Sequence, residues 1–338
     1  MRKYRKREHV ENYLRANYRG NTLLEDVFLP HNSLPEMDFD EVDTSVMYLG
    51  KKIHFPLMIN AMTGGTDFTE DINRDLAEIA KRLQLPMAVG SETVALEEED
   101  ARESFEIVRK IVGEDGMVLS NLSGRLSKED AEKAMEIVKA DAIQVHLNPA
   151  QELAMEEGDR EFKGILENIS TLTKEVQKPV VVKEVGFGMS AETVEKLYKA
   201  GVRNVDISGF GGTNFFEVEN LRCPSVDMTD LYGWGNPTAY SLIEAKKLGY
   251  EDLHITASGG VSNALDLVKC LVLGADMVGI SGELLNYLIH GGLEYATQYL
   301  EDLIHKTKVI MLLLGAKNIE ELSKVNWKAT GTLKELLD

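Results

Sequence analysis

The stretch PVVVKEVGFGMSAETVEKLYKAGVRNVDISGFGG, residues 179–212, decides the fold class. It opens with a continuous apolar run, Pro179–Val185, and closes on a second, Asn204–Gly209. Neither alternates polar with apolar residues, so each reads as a strand covered on both faces. Ser190–Ala200 between them has the spacing of an amphipathic helix, which makes the whole a strand–helix–strand unit of a parallel sheet. Working outward, six more runs of the same kind appear: Pro56–Met62, Pro86–Ser91, Met117–Leu122, Ala142–Asn148, His254–Gly260 and Met277–Gly282. Each of the first seven runs is followed by a helical pattern, as at Asp71–Arg82, Ser127–Ala140 and Asn263–Gly274. Eight such repeats predict an α/β protein of the (β/α)8 TIM-barrel class, with residues 1–338 forming a single domain. Three segments lie outside the repeat: an N-terminal extension over 1–50 that starts as a short helix, a long lid-like loop over 214–236, and a C-terminal helical tail over 316–338.

Composition narrows the function. With 43% hydrophobic residues in 338, the chain can bury a full-sized core. Cys223 and Cys270 form no disulfide framework or metal motif, which fits a reducing cytoplasm. The longest apolar run, Val309–Leu314, is far too short to cross a membrane, and no apolar segment of a signal peptide follows the basic start. A formal net charge of -19 argues against nucleic acid and anionic membranes as partners. Any phosphate site must therefore be a local exception built from backbone N–H groups, Lys and Arg, or a divalent cation.

Barrel enzymes carry their chemistry where strands end, and here those ends are polar. They include Thr63-Gly64-Gly65, Ser91-Glu92, Asn121, His146 with Asn148, Lys183-Glu184, Ser208 through Thr213, Ser258-Gly259-Gly260 and Ser281-Gly282. Any single Ser, Asn or Thr there serves equally as a turn or cap residue. Lys183 is harder to explain structurally, because a lysine inside PVVVKEV must point into the barrel mouth or snorkel. ASGG (257–260) and GISGELL (279–285) would place N–H groups where phosphate-binding barrels hold their phosphate. Thr63, Asn121, Lys183 and Thr213 would then line an elongated cofactor, and a lysine beside a flavin would stabilise charge on the reduced ring. HLNPAQE (146–152) brings His146, Asn148, Gln151 and Glu152 towards one region. Glu152 is either a partial Mg2+ ligand completed by substrate phosphates or an acid placed at a helix N-terminus. The cations Arg2, Lys3, Arg5, Lys6 and Arg7 are either a solvated tail or an arm that grips a diphosphate.

Taken together, RKREH, NAMTGG, VGSET, SNL, HLNPAQE with EEGDREFKG beyond it, VVKEVG, DISGFGGTNF, WGNPT, ASGGV and GISGELL resemble the type 2 isopentenyl-diphosphate isomerase family over nearly the whole chain. HLNPAQE followed by GDREF is the most specific pair. The resemblance implies isomerisation of isopentenyl diphosphate to dimethylallyl diphosphate with reduced FMN, Mg2+ on the diphosphate, NADPH as reductant, and a homotetramer or homo-octamer. By motif, Met62, Thr63, Gly64, Ser91, Asn121, Lys183, Ser208, Thr213, Gly259, Gly260, Ser281 and Gly282 would contact FMN. Arg5, Lys6, Ser91, Asn148 and Gln151 would contact substrate, Gln151, Lys183 and His146 would take catalytic roles, and Glu152 would hold the metal. The chain departs from the family pattern at Phe210, where an arginine is frequent, and at Glu92-Thr93, where Gln-Arg often follows the serine.

Two other readings compete. An FMN oxidoreductase acting on a 2-hydroxy acid or a dihydropyrimidine shares the phosphate frame, but no His with a nearby Arg follows the seventh strand. A flavin-binding protein without catalysis would have no need of Gln151, Glu152 or the basic arm.

Overall fold

The computed structural model describes residues 2–222 and 225–338, so Cys223 lies outside the described residues. Eight parallel strands close into a barrel. They are β1 (Leu57–Ile59), β2 (Met87–Ala88), β3 (Val118–Ser123), β4 (Ala142–His146), β5 (Val180–Lys183), β6 (Asn204–Asp206), β7 (His254–Ala257) and β8 (Met277–Ile280). Closure comes from β8 pairing with β1, with Val278 opposite Leu57 and Ile280 opposite Ile59. All eight runs read from the sequence are strands. Most stop two or three residues earlier than expected, because the last residues of each run turn outward as the loops of the barrel mouth.

Alternation along each strand sorts the residues into two environments. Leu57, Ile59, Ile143, Val145 and Val182 face outward into the main core beneath the helices. Met58, Ala88, Leu119, Ala142, Val181 and Met277 face inward and form a second apolar cluster with Tyr48 and Ile53. Tyr48 and Ile53 belong to an antiparallel pair, Val46–Tyr48 with Lys51–Ile53, that plugs the N-terminal end of the barrel. Two residues further along the same inward faces, the lining turns polar: Asn60, Asn121, Gln144 and Lys183 are all buried. The active end thus begins one layer above an apolar floor.

Outer helices follow the strands at Asp67–Leu83, Glu103–Val112, Lys128–Ile137, Ile165–Glu175, Ala191–Lys199, Thr238–Lys247, Ala264–Val272 and Gly282–Leu314. Several start on side-chain caps: Thr66, Ser127, Ser190 and Asn263 each accept a backbone N–H from the first turn. The eighth of these, Gly282–Leu314, breaks at Gly292, where φ is 78°.

The segments outside the repeat differ from expectation in detail. The 214–236 stretch is not one open loop. It carries a helix, Phe215–Asn220, capped by the Asn214 side chain, and a single 3-10 turn, Thr229–Leu231. Six residues are too few for helical periodicity to stand out. The C-terminal segment is likewise broken into helices Ile319–Leu322 and Gly331–Leu337, with Lys328–Ala329 pairing antiparallel to Val27–Phe28. The N-terminal helix, Arg2–Arg15, packs across the mouth onto Phe215–Asn220, and Asn17 and Tyr18 donate their N–H groups to the Glu217 carboxylate.

Candidate active site

A cavity of about 1010 Å³ opens at the C-terminal ends of the strands. Of the residues expected at a site, Arg5, Lys6, Met62, Thr63, Ser91, Asn121, His146, Asn148, Gln151, Glu152, Lys183, Ser208, Thr213, Gly259, Gly260, Ser281 and Gly282 line it. Gly64 does not: a Cβ built there would stand 2.2 Å from the Phe105 ring, so this glycine serves close packing behind the wall. Phe210 is also outside the cavity. Its ring lies over Gly20, where a Cβ would come within 2.6 Å, and beside Tyr18, so it anchors the N-terminal segment instead of meeting a ligand.

One side of the cavity is made of backbone. Gly212, Gly259 and Gly260 come so close that a Cβ at Gly212 would lie 2.5 Å from Gly260 N, and one at Gly259 would lie 2.0 Å from Gly209 O. Gly259 and Gly260 have φ of 100° and 74°, which glycine alone adopts without strain. Beside them, the helix from Gly282 begins without a side-chain cap at Ser281, and Ser281, Gly282 and Glu283 at its start line the cavity. Tyr13 of the N-terminal helix closes this corner: a Cβ at Gly282 would meet its hydroxyl at 2.1 Å. Across the cavity, Thr63 Oγ1 is buried with no hydrogen-bond partner among the described residues. A buried hydroxyl left unsatisfied costs about 1–3 kcal/mol, so it marks a place where a ligand atom belongs.

The floor is polar and connected. His146 Nδ1 lies 2.8 Å from Asn121 Oδ1, Asn121 Nδ2 donates to Gln144 Oε1 at 3.1 Å, and Gln144 Nε2 donates to Asn60 Oδ1 at 2.9 Å. Asn60 Nδ2 then donates to Asp206 Oδ2 at 2.6 Å. Burial, with Lys183 and Lys6 nearby, holds the His146 imidazolium down to about 3, so the ring is neutral near pH 7. Lys183 is buried and donates to Glu184 O at 2.6 Å. Burial lowers its ammonium from the ordinary range, opposed by Asp206 and Glu184. The turn beyond it is held by the Glu184 carboxylate, whose Oε2 accepts the N–H groups of Val185, Gly186, Phe187 and Gly188 at 2.6–3.2 Å.

The opposite rim carries charge. Lys6 Nζ donates to Ser91 O at 3.2 Å, and Arg5 lies 3.6 Å from Glu157. Arg5 and Lys6 thus reach over the mouth, whereas Arg7 is exposed and pairs with Glu11, and the side chains of Arg2 and Lys3 lie outside the described residues. Asn148 Nδ2 donates to Glu152 Oε1 at 2.9 Å and Asp159 N–H to Glu152 Oε2 at 2.8 Å. Gln151 Nε2 donates to Glu219 Oε1 at 3.2 Å, while His9 Nε2 lies 2.8 Å from the same oxygen and Arg222 donates to Oε2 at 2.6 Å. Asn148, Gln151 and Glu152 sit at the start of a short helix, Pro149–Ala154, and Arg160 grips the turn after it through the carbonyls of Met155 and Gly158 at 2.6 and 2.8 Å. Sequence reading missed His9, Tyr13, Arg19, Asn60 and Arg125 among the lining residues, and the buried acids Asp206 and Glu219 behind them. Glu92 sits just behind Ser91, fully buried. Its Oε2 accepts from Ser120 Oγ and from Asn121 N–H, and its Oε1 has no partner among the described residues. Burial pushes this carboxyl up to about 8.

The model of the FMN-dependent dehydrogenase family matches residues 117–329. The chain is 43% identical over 328 residues to an isopentenyl-diphosphate delta-isomerase of Bacillus pumilus (strain SAFR-032), covering 97% of this chain and 92% of that one. It is 40% identical over 334 residues to one of Listeria innocua, covering 98% and 93%. Among solved structures, a flavocytochrome b2 variant with sulfite bound superposes with a TM-score of 0.69 at 19% identity, over 97% of this chain and 84% of that one. A mandelate oxidase with 2-hydroxy-phenylacetamide gives 0.67 at 15%, over 96% and 95%. At those identities the two structures speak for the barrel fold alone.

Proposed function

This chain belongs to the isopentenyl-diphosphate delta-isomerases, within the FMN-dependent dehydrogenase family, and from that membership we propose how its site works. The substrate is isopentenyl diphosphate and the product dimethylallyl diphosphate, formed by a 1,3-allylic proton shift. Residues 1–338 act as one FMN-binding domain, with NADPH as the reductant of the flavin and a homotetramer or homo-octamer as the assembly. The observation that carries the reading is convergence: the basic arm, the His146–Glu152 segment, Lys183 and the glycine-rich corner all line one cavity.

The residues present fit FMN. The unpartnered Thr63 hydroxyl, the backbone cradle at Gly212, Gly259 and Gly260, and the uncapped helix start at Ser281-Gly282 supply donors for a phosphate and a polar ring. Bound FMN in its reduced form supplies the acid and base for the proton shift, which no pair of side chains here offers to an unactivated alkene. Lys183, buried beside Asp206 and Glu184, which favour its charged form against burial, would stabilise negative charge on the reduced ring. Gln151 is oriented between Asn148, which donates to its Oε1 at 3.2 Å, and Glu219, which accepts from its Nε2. Its amide is thus held at one angle over the mouth.

A magnesium ion fits on narrower terms. Among the described residues, no group of three or more His, Cys, Asp or Glu is arranged to hold a metal ion. Glu152 would supply one carboxylate and the diphosphate and water the rest, an arrangement Mg2+ accepts readily. Arg5, Lys6 and Asn148 then orient the diphosphate, and positioning of this kind can lower a barrier by several kcal/mol.

The test is an anaerobic assay with isopentenyl diphosphate, Mg2+ and FMN, with and without NADPH, following dimethylallyl diphosphate and NADPH separately. Product in large excess over NADPH consumed is expected. No product from protein carrying reducible FMN would sink the isomerase reading and leave an oxidoreductase.

A further inference from the structure

The polar residues crossing the barrel form a chain with a fixed direction. An amide has an oxygen end and a nitrogen end, so a neighbour that can only accept dictates which way it points. Asp206 is such a neighbour. Fully buried, it takes Ser258 Oγ and Ser208 N–H on Oδ1 at 2.6 and 3.1 Å, and Asn60 Nδ2 on Oδ2 at 2.6 Å. The other end of Asn60 is fixed independently, because Ala61 N–H donates to Oδ1 at 2.9 Å. Gln144 must then offer its nitrogen to Asn60 and its oxygen to Asn121 Nδ2, which turns Asn121 Oδ1 towards His146 Nδ1.

We infer that Asp206 is a positioning residue that acts through Asn60, Gln144 and Asn121 to hold His146 as the Nδ1–H tautomer, so that Nε2 meets the ligand as a lone pair. Which ring nitrogen carries the proton is set by the bond the other side makes, and here that side leads through three amides to a carboxylate on the far wall. Reversing one amide would leave two donors or two acceptors facing each other in a buried place, so the chain turns as a unit or not at all. The consequence for recognition is concrete. A ligand oxygen opposite Nε2 must carry a proton, or the ring must gain one as a diphosphate arrives.

The experiment is ring-15N-histidine NMR of the flavin-loaded protein near pH 7, with His146 assigned by loss of its signals in His146→Gln. It needs no substrate, so its outcome is independent of the isomerase reading. The wild type should show one neutral ring protonated on Nδ1; a proton on Nε2, or an imidazolium, would overturn the inference. Asp206→Asn should yield a mixture of tautomers and a fall in kcat/KM of about tenfold. Gln144→Met, which cuts the chain while leaving the carboxylate in place, should give the same mixture and carries the test if Asp206→Asn does not fold. Adding Asn121→Asp to either variant sets an acceptor directly against Nδ1 and should restore the single tautomer. A pure Nδ1–H ring in the folded single variants would show that Asp206 does not set it.

Discussion

Replacing Glu92 by glutamine should make the protein more stable in base and leave it nearly unchanged in acid. The carboxyl is fully buried with one oxygen unpartnered among the described residues, and burial raises it from 4.5 to about 8. A group raised on folding contributes stability that is whole below its unfolded value and is lost as pH climbs through the folded one. That gap, at about 1.4 kcal/mol per tenfold change in proton affinity, amounts to about 5 kcal/mol in all. About 3 kcal/mol of it falls between about pH 5.5 and about pH 8.5. The amide keeps an oxygen for Ser120 Oγ and Asn121 N–H but cannot ionise, so Glu92→Gln escapes this loss. For 338 residues the unfolding entropy is about 0.7 kcal/mol/K, which turns 3 kcal/mol into a Tm difference of about 4–5 °C. Thermal melts of wild type and variant, saturated with FMN at both pH values, read this directly. A gain in Tm that is equal at the two pH values, or absent in base, would refute the buried, protonated carboxyl.

Other substitutions separate roles within the cavity. Lys183→Ala should lower kcat with reduced flavin more than Arg5→Ala does at saturating substrate, while Arg5→Ala raises KM by about tenfold, as loss of a charged hydrogen bond would; equal losses in kcat would merge the two roles. Thr63→Val should raise the melting temperature of the flavin-free protein slightly, since it removes a buried hydroxyl that has no partner among the described residues, and weaken FMN binding about fivefold by fluorescence titration. Gly212→Ala would set a methyl 2.5 Å from Gly260 N and should weaken FMN binding by about tenfold or more by covering that donor.

The sequence carried the barrel because each strand is a continuous apolar run, and it carried most of the lining because polar residues close those runs. The deeper part of the polar floor, Asn60, Gln144 and Asp206, was hidden by the same signal. Reading a run as covered on both faces treats its inward residues as core, yet along β4 the inward residues go from Ala142 to Gln144 to His146 as the barrel opens. Asn60 after Met58 and Lys183 after Val181 repeat the change. A search at period two within each run would have found this layer. No such search reaches the contact of His9 with Glu219, which forms only because the N-terminal helix crosses onto Phe215–Asn220; Arg222 joins it from three residues beyond Glu219. Glu92 stood out as an unusual residue, but its burial comes from β3 behind it, through Ser120 and Asn121.

An acidic protein that takes an anionic substrate needs a reason, and the cavity does not supply a simple one. Arg5, Lys6, Arg19, Arg125 and Lys183 line it, but so do Glu25, Glu152, Asp159, Asp266 and Glu283. Formal charge there roughly cancels, against -19 for the whole chain. Long-range attraction therefore contributes little, and what remains is short-range and directional. At the glycine corner the donors are backbone N–H groups, which carry no formal charge and need no counterion nearby. At the other end Glu152 is an acid facing the proposed diphosphate, and the proposed divalent cation would lie between them. The arm then has a second task beyond contact. Lys6 and Arg5 reach the cavity from a helix that is the first element of the chain, braced through Lys6 on Ser91 O and Arg5 on Glu157. Braced in this way, the two cations already stand over the mouth, so a bound anion meets positive charge positioned in advance.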